Sequence, residues 1–370
     1  MEINIKREDL LHGLYLVQGV VERRTPQPVL GHVLVESQKD HIALSATDNE
    51  VGVRCVVPAT VKQPGTVTAN ARKMYEIARE LTGDLVTLKA GAVGWVDVLC
   101  GRSKFKVVGL DPKDFPVLPL GPGADQGTTI PIAAGTLLEM IDKTLFAVSS
   151  DETRLNLSGV YLEGYEGGLR MVATDGHRLA LIERVLKDAQ LPRGVILPRK
   201  GLLEVRKLLE EAEDQELTLV IADKFARVET SAIAFFMRLI EGEFPDYRQV
   251  IPGSLRATAR MNREDFLGAL RRSALLASER SHGIRLALQK GSLEIAASNP
   301  EQGEASEEIE VSYSGDPVTI GFNARYLLDV LAVHAAGDVV EMGLTDEVGP
   351  SVIRGSQAPN FTYVLMPMRL

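Results

Sequence analysis

The chain has 370 residues, 45% hydrophobic and 25% charged, with a net charge of −9. That length exceeds one ordinary domain, and the apolar content supplies more than one core, which excludes a disordered chain. Cys55 and Cys100 have no close-spaced partners, so neither a disulfide framework nor a zinc site is suggested and a reducing cytoplasm fits; the acidic balance excludes a surface that grips nucleic acid everywhere, though not one local basic face.

Along the chain, Glu2, Lys6, Arg7, Glu8 and Asp9 interrupt any apolar run that a secretory signal would need, and no later stretch is long and apolar enough to span a membrane. Residues 7–20 read as a helix with Leu10, Leu14 and Val17 inward. HVLVESQKDHIALSATD then alternates like paired strands around a Lys-Asp turn. Met74, Ile77, Ala78 and Leu81 recur at helical spacing behind Asn70, which stands at an N-cap position, with Gly83 near the far end. GPGADQG (121–127) lacks the spacing, the lysine and the strand-to-helix context of a nucleotide loop and reads as a linker. The pattern then restarts, with a helix at about 132–148, strands in SGVYLEGYEGGLRMVATD, a basic helical segment after Pro198 and a second linker, IPGSLRA (251–257). It restarts once more with a helix at 262–277, opened by Asn262 and Asp265, and a last helix behind Asn323 whose stripe is Leu327, Val330, Leu331 and His334, with Gly337 beyond it.

These phrases are copies of one another. ALSATDNEVGV, RMVATDGHRLALI and EIAASNPEQGEA align on Ala46, Ala173 and Ala297, and the second-helix phrases align on Asn70, Pro198 and Asn323 at nearly the same period. DFPVLP (114–119) is echoed by EFPDYRQVIP (243–252). Landmarks that keep both order and spacing imply three repeats of one α+β domain, each with two helices packed on antiparallel sheet, at 1–121, 128–252 and 257–370.

The densest polar cluster is TDGHRLALIE (174–183). A carboxylate can orient a histidine for general base work, so Asp175 and His177 with Ser150 or Ser158 would make a hydrolase one reading, but no nucleophile elbow, Walker loop or zinc-type motif accompanies them. A repeat scaffold that binds only proteins is another. Positive charge collects on helical segments, with a net +2 over residues 260–280 and +1 over residues 4–24, which in equivalent helices of a repeat suggests a shared face for a polyanion.

Over its whole length the sequence resembles the bacterial DNA polymerase III β subunit family, the sliding clamps, on TDGHRLA (174–180), EGEFPDYRQVIP (241–252), SNPEQ (298–302), IGFNARYLLDVL (320–331) and YVLMPMRL (363–370). The resemblance implies a non-catalytic cytoplasmic processivity factor without cofactor or metal. Its three domains would form half of a six-domain ring, and two chains would join head to tail around duplex DNA without sequence specificity. It also implies a groove for short linear motifs of the replicative polymerase α subunit, the clamp loader, other polymerases and repair proteins. That groove would comprise Arg154, Leu157, Thr174, Gly176, His177, Arg178, Leu179, Pro245, Val250, Asn323, Tyr326, Val348, Val364, Met366, Pro367, Met368, Arg369 and Leu370, with His177 and Arg178 at its rim. Diffuse phosphate contact falls to Arg24, Arg72, Lys73, Arg199, Lys200, Arg206, Arg271 and Arg272; a linked ring needs no tight grip, and weak basicity leaves it free to slide. Phe105 and Val107 would face Leu275 and Leu276 of the partner at ring closure, although helix spacing alone also allows Leu275 and Leu276 in a core.

Overall fold

The computed structural model describes residues 1–22, 26–91, 94–119, 127–151, 153–187, 189–212 and 215–369. Arg24, Leu370 and most of the linker at 121–127 lie outside them. Six helices are present among the described residues: α1 (Arg7–Gln18), α2 (Ala71–Glu80), α3 (Ala134–Asp142), α4 (Arg199–Glu211), α5 (Arg263–Ser273) and α6 (Ala324–Ala332). Each expected asparagine cap is made. Asn70 accepts from the Lys73 amide, Asn262 from the Glu264 and Asp265 amides, and Asn323 from the Arg325 amide, each satisfying donors that a helix start leaves free. The helices expected at 132–148 and 262–277 are shorter than their apolar patterns, because each passes into a 3₁₀ turn, Leu145–Ala147 and Ala274–Leu276.

The strands are antiparallel throughout the pairings described, and they run across repeat boundaries. One eight-stranded sheet joins strands of the first repeat to strands of the second, where Val51–Pro58 pairs with Ile233–Arg238. A nine-stranded sheet joins the second repeat to the third, where Arg178–Val185 pairs with Ala358–Leu365. A five-stranded sheet ends on Ser103–Val108, and a four-stranded sheet ends on Gly303–Glu310. Continuity of pairing makes two compact units of three repeats: residues 1–138 with 200–239, and residues 139–199 with 240–370.

In the first unit α1 packs against α2 and on the strand Val51–Pro58, burying Leu10, Leu14 and Val17. The approach is close enough that a Cβ on Gly13 would come within 2.7 Å of the Leu44 side chain. In the second unit α5 packs against α6 and on the strand Gly303–Glu310, burying Phe266, Leu270, Leu327 and Leu331.

Candidate functional site

The TDGHR turn connects the strands Gly168–Thr174 and Arg178–Val185. Thr174 Oγ1 donates to the Arg178 carbonyl at 2.6 Å and accepts from the Gly176 amide at 3.1 Å. Asp175 Oδ1 accepts from the amides of His177 and Arg178. Gly176 has φ +91°, a left-handed conformation that favours glycine. The Asp175 carboxylate is thus committed to holding the turn, and its remaining oxygen takes the Arg178 guanidinium at 3.0 Å. His177 is exposed, and its carbonyl accepts from the Met366 amide at 2.9 Å, which ties the turn to the end of the terminal strand.

Arg178 corrects its expected place at the rim, since its side chain is only 9% exposed. It reaches Asp329 Oδ2 and the Phe146 carbonyl, each at 2.5 Å, and lies 4.4 Å over the Tyr326 ring. Burial works against its charge, yet the neighbouring acidic groups hold its pKa above the ordinary arginine value. Desolvation favours whichever ions are fully partnered, so this arginine locks the turn to α6 rather than waiting for a ligand.

Beyond the turn, Leu179 pairs with Val364, and both join Val172, Leu181 and Tyr247 in one buried apolar cluster. Tyr161, Phe244 and Ile251 pack on it half-buried. Val250 and Met366 remain 44% and 39% exposed, so the second unit carries an apolar surface that rises from a packed floor. Of the other expected groove residues, Leu157 is buried on a 3₁₀ turn, while Arg154 and Pro245 are exposed. Arg154 approaches the turn closely, since a Cβ on Gly176 would lie 3.2 Å from its Nη1. Pro367 and Met368 are half-buried and Arg369 is exposed, with the Met368 amide bonded to the Gly321 carbonyl. Asn323 spends its side chain on the α6 cap, and Tyr326 accepts the Tyr363 hydroxyl on its carbonyl. Val348, 73% exposed, borders a separate cavity with Arg256, Tyr313 and Asp316. Sequence reading left out Tyr161, Phe244, Tyr247 and Ile251, which belong to or pack on this apolar cluster, although three of them lie in the repeated phrase EFPDYRQVIP.

The expected phosphate contacts are mostly paired already. Lys73 bonds Glu76, Lys200 bonds Asp48 and Glu22, Arg206 bonds Glu210, and Arg272 takes Glu307 through two nitrogens. Arg199 and Arg271 are exposed and Arg72 is half-buried. Helices α2, α4 and α5 each carry one net positive charge and α6 none, against one net negative charge on α1 and two on α3. The helical charges therefore cancel in a chain of −9, which places the acidic excess outside the helices. Of the expected closure residues, Phe105 is 39% exposed, Val107 is buried within the protomer at 7%, and Leu275 stands 77% exposed, which removes it from any core of the protomer.

The fold thus presents a repeated α+β architecture, a polar turn whose side chains are spent on structure, and an exposed apolar surface above a packed floor. Residues 1–119, 131–246 and 248–369 match the N-terminal, central and C-terminal domains of the DNA polymerase III beta subunit. The beta sliding clamp of Pseudomonas aeruginosa is 40% identical over 375 residues, and that of Caulobacter vibrioides 38% over 379, each across 100% of both chains. Among solved structures, the Pseudomonas aeruginosa sliding clamp bound to griselimycin superposes with a TM-score of 0.94 at 39% identity, and the Caulobacter crescentus polymerase III β with 0.93 at 38%, again over 100% of both chains. The chain belongs to the DNA polymerase III β subunit family, the bacterial sliding clamps. Its role is that family's: a ring on DNA, without catalysis of its own, that confers processivity on the replicative polymerase.

Proposed function

We propose that the apolar surface around Leu179, Val364 and Tyr247 is the groove through which this clamp holds its polymerase, and that the polymerase α subunit, the clamp loader, other polymerases and repair proteins share it through short linear motifs. The observation that carries this reading is the gradient from a buried floor to exposed Val250 and Met366, rimmed by Arg154 and His177. Apolar walls with few polar groups suit short peptides, and the flexible methionine suits several of them. Griselimycin, which a relative binds, supplies a probe. Titrating griselimycin into wild type, Val250→Asp and Met366→Ala tests it; equal affinity in all three sinks the groove.

For ring closure the repeat supplies a register. Val51 and Arg178, each five residues beyond the aligned alanine, pair with Met237 and Leu365. The counterpart in the third repeat is Gln302, just before an edge strand; Val108, seven residues before Phe115 as Met237 is before Phe244, ends another. We infer that Gly303–Glu310 of one protomer pairs with Ser103–Val108 of its partner, setting Lys106 against Glu304 and Arg102 against Glu308. Phe105 and Val107 then fall beside Ala305 and Gly303, near Leu276, whose Cδ1 lies 4.0 Å from where a Gly303 Cβ would stand. The domain limits 1–121, 128–252 and 257–370 go with this scheme. Helices α2, α4 and α5, each with one net positive charge and with Lys73, Lys200, Arg206 and Arg272 locally paired, suit weak, non-specific contact with duplex DNA at Arg72, Lys73, Arg199, Lys200, Arg206, Arg271 and Arg272. Light scattering checks the assembly: a mass near twice 40.3 kDa is expected, and a monomer at micromolar concentration would remove the ring.

A further inference from the structure

We propose that Glu163, Arg170, Tyr247 and Arg248 form a polar lock that fixes the wall 244–251 and so keeps the peptide groove preformed; the proposal rests on the groove reading given above. Tyr247 is 3% exposed, with its ring in the apolar cluster beside Leu179 and Val364. Its hydroxyl donates to Glu163 and accepts from Arg170 Nη1 at 2.8 Å. Glu163 also takes Arg248 Nη2 through both carboxylate oxygens, at 2.7 and 3.0 Å, and Arg170 reaches across the sheet to Glu183. Next to these bonds Phe244 stacks on Tyr161 with ring centroids 4.9 Å apart, and Asn156 donates to the Glu243 carbonyl. The segment 243–251 is therefore held by four side chains, Asn156, Tyr161, Glu163 and Arg170, while it presents exposed Pro245 and Val250.

The first repeat serves as an internal control. Its strands keep the same register, Leu34 opposite Ser45 as Tyr161 is opposite Val172, and Glu36 opposite Ala43 as Glu163 is opposite Arg170. There the lock is missing. Ala43 stands for Arg170, Val56 for Glu183, Leu118 for Tyr247 and Pro119 for Arg248, and Glu36 pairs with Arg54 instead. The fold thus closes without this network, and the network occurs in the repeat whose turn carries the groove. Holding Arg170 and Glu163 largely out of water around a hydroxyl is costly unless each is satisfied, with the exposed Arg248 closing over Glu163 from outside, and what such a network gives in return is a single geometry. A wall already in place spares a peptide the cost of ordering it.

The test combines binding with backbone exchange in the full-length dimer. In Tyr247→Phe and Glu163→Gln, griselimycin should bind about tenfold more weakly, the scale of one lost charge-assisted hydrogen bond. The double variant should lose no more than either single one, because the members act as a unit. Amide exchange at 244–251 should quicken while the strands Gly159–Tyr165 and Gly168–Thr174 stay protected. Unchanged exchange at 244–251 in both variants overturns the lock, as does an additive loss of affinity that follows global melting. If wild type fails to bind griselimycin, or Val250→Asp binds it equally well, the groove reading fails, and the exchange result still decides the lock.

Discussion

The Phe236 ring lies directly over Gly52, so close that a Cβ on Gly52 would come within 2.1 Å of Cε1. In the repeat alignment Gly52 is the counterpart of Leu179 and Phe236 of Val364. The same ladder position is thus filled by one large and one absent side chain in the first unit, and by two medium ones in the second. Around it the first repeat is also more polar, with Ser45 for Val172 and Arg54 for Leu181. The repeat dictates the backbone, and the side chains decide where an apolar surface is left exposed.

Gly52→Ala should therefore destabilise the first unit, by about 1–3 kcal/mol, the usual cost of overpacking a closed core. Phe236→Leu in the same chain should recover part of the loss. Thermal unfolding checks both, and an unchanged melting temperature in Gly52→Ala would contradict the contact.

Arg178→Ala should cost more. It leaves Asp175 without its ion pair and removes the tie between the turn and α6, a type of loss that reaches about 3–5 kcal/mol for a buried pair. Arg178→Lys should not rescue it, because one ammonium cannot reach Asp175, Asp329 and the Phe146 carbonyl in the forked geometry of the guanidinium. Denaturant midpoints of the two variants decide; a lysine variant as stable as wild type would show that charge alone matters here.

Much of this was legible in the sequence, and the reason differs from element to element. Asn70, Asn262 and Asn323 announced their helices because capping is a local interaction between a side chain and amides two or three residues on. The repeat was legible because it is a comparison of the chain with itself. Which strands join the sheets across repeats was not, since the pairing of Val51–Pro58 with Ile233–Arg238 joins residues far apart in sequence and alternation does not name a partner strand. Arg178 was misplaced for a related reason: a charged residue beside a glycine turn reads as exposed, and only the fold brings Asp329 and Phe146 to it. Tyr247 was hidden by its double character, an apolar ring with a hydroxyl that needs a distant carboxylate.

Stability should fall on mild acidification. His334 is fully buried with Nδ1 3.1 Å from Asp338 Oδ2, and Lys143 and Arg263 add positive charge nearby. Burial, reinforced by Lys143, pushes its imidazole below the ordinary histidine value. A histidine depressed in the folded state contributes stability that is complete above its unfolded pKa, about 6.5, and is lost as pH falls through the folded value. Asp338 is also held low, against its own burial, by bonds from Ser356, the Gln357 amide and His334, so its loss has the same sign but begins in the carboxylate range. Between pH 7 and 5 the melting temperature should therefore drop, with a slope of at most about 1.4 kcal/mol per pH unit for one proton. His334→Gln should flatten that slope, and an equally steep profile in the variant would assign the effect elsewhere.

The proposed closure register can be tested by charge alone. Lys106 is exposed on an edge strand, 5.1 Å over the Trp95 ring, and Glu304 is exposed on another. Facing pairs of opposite sign favour an antiparallel ladder and like pairs oppose it. A two-chain ring closes twice, so every substitution acts at two interfaces. Lys106→Glu and Glu304→Lys should each weaken the dimer about tenfold, and the doubly exchanged chain should recover most of the loss. Sedimentation across a dilution series at low salt reads the outcome, and high salt should shrink the differences because exposed pairs are screened. If each reversal weakens the dimer but the exchange does not restore it, the two side chains are not opposite one another, and the register carried over from the inner repeats is wrong by at least one residue.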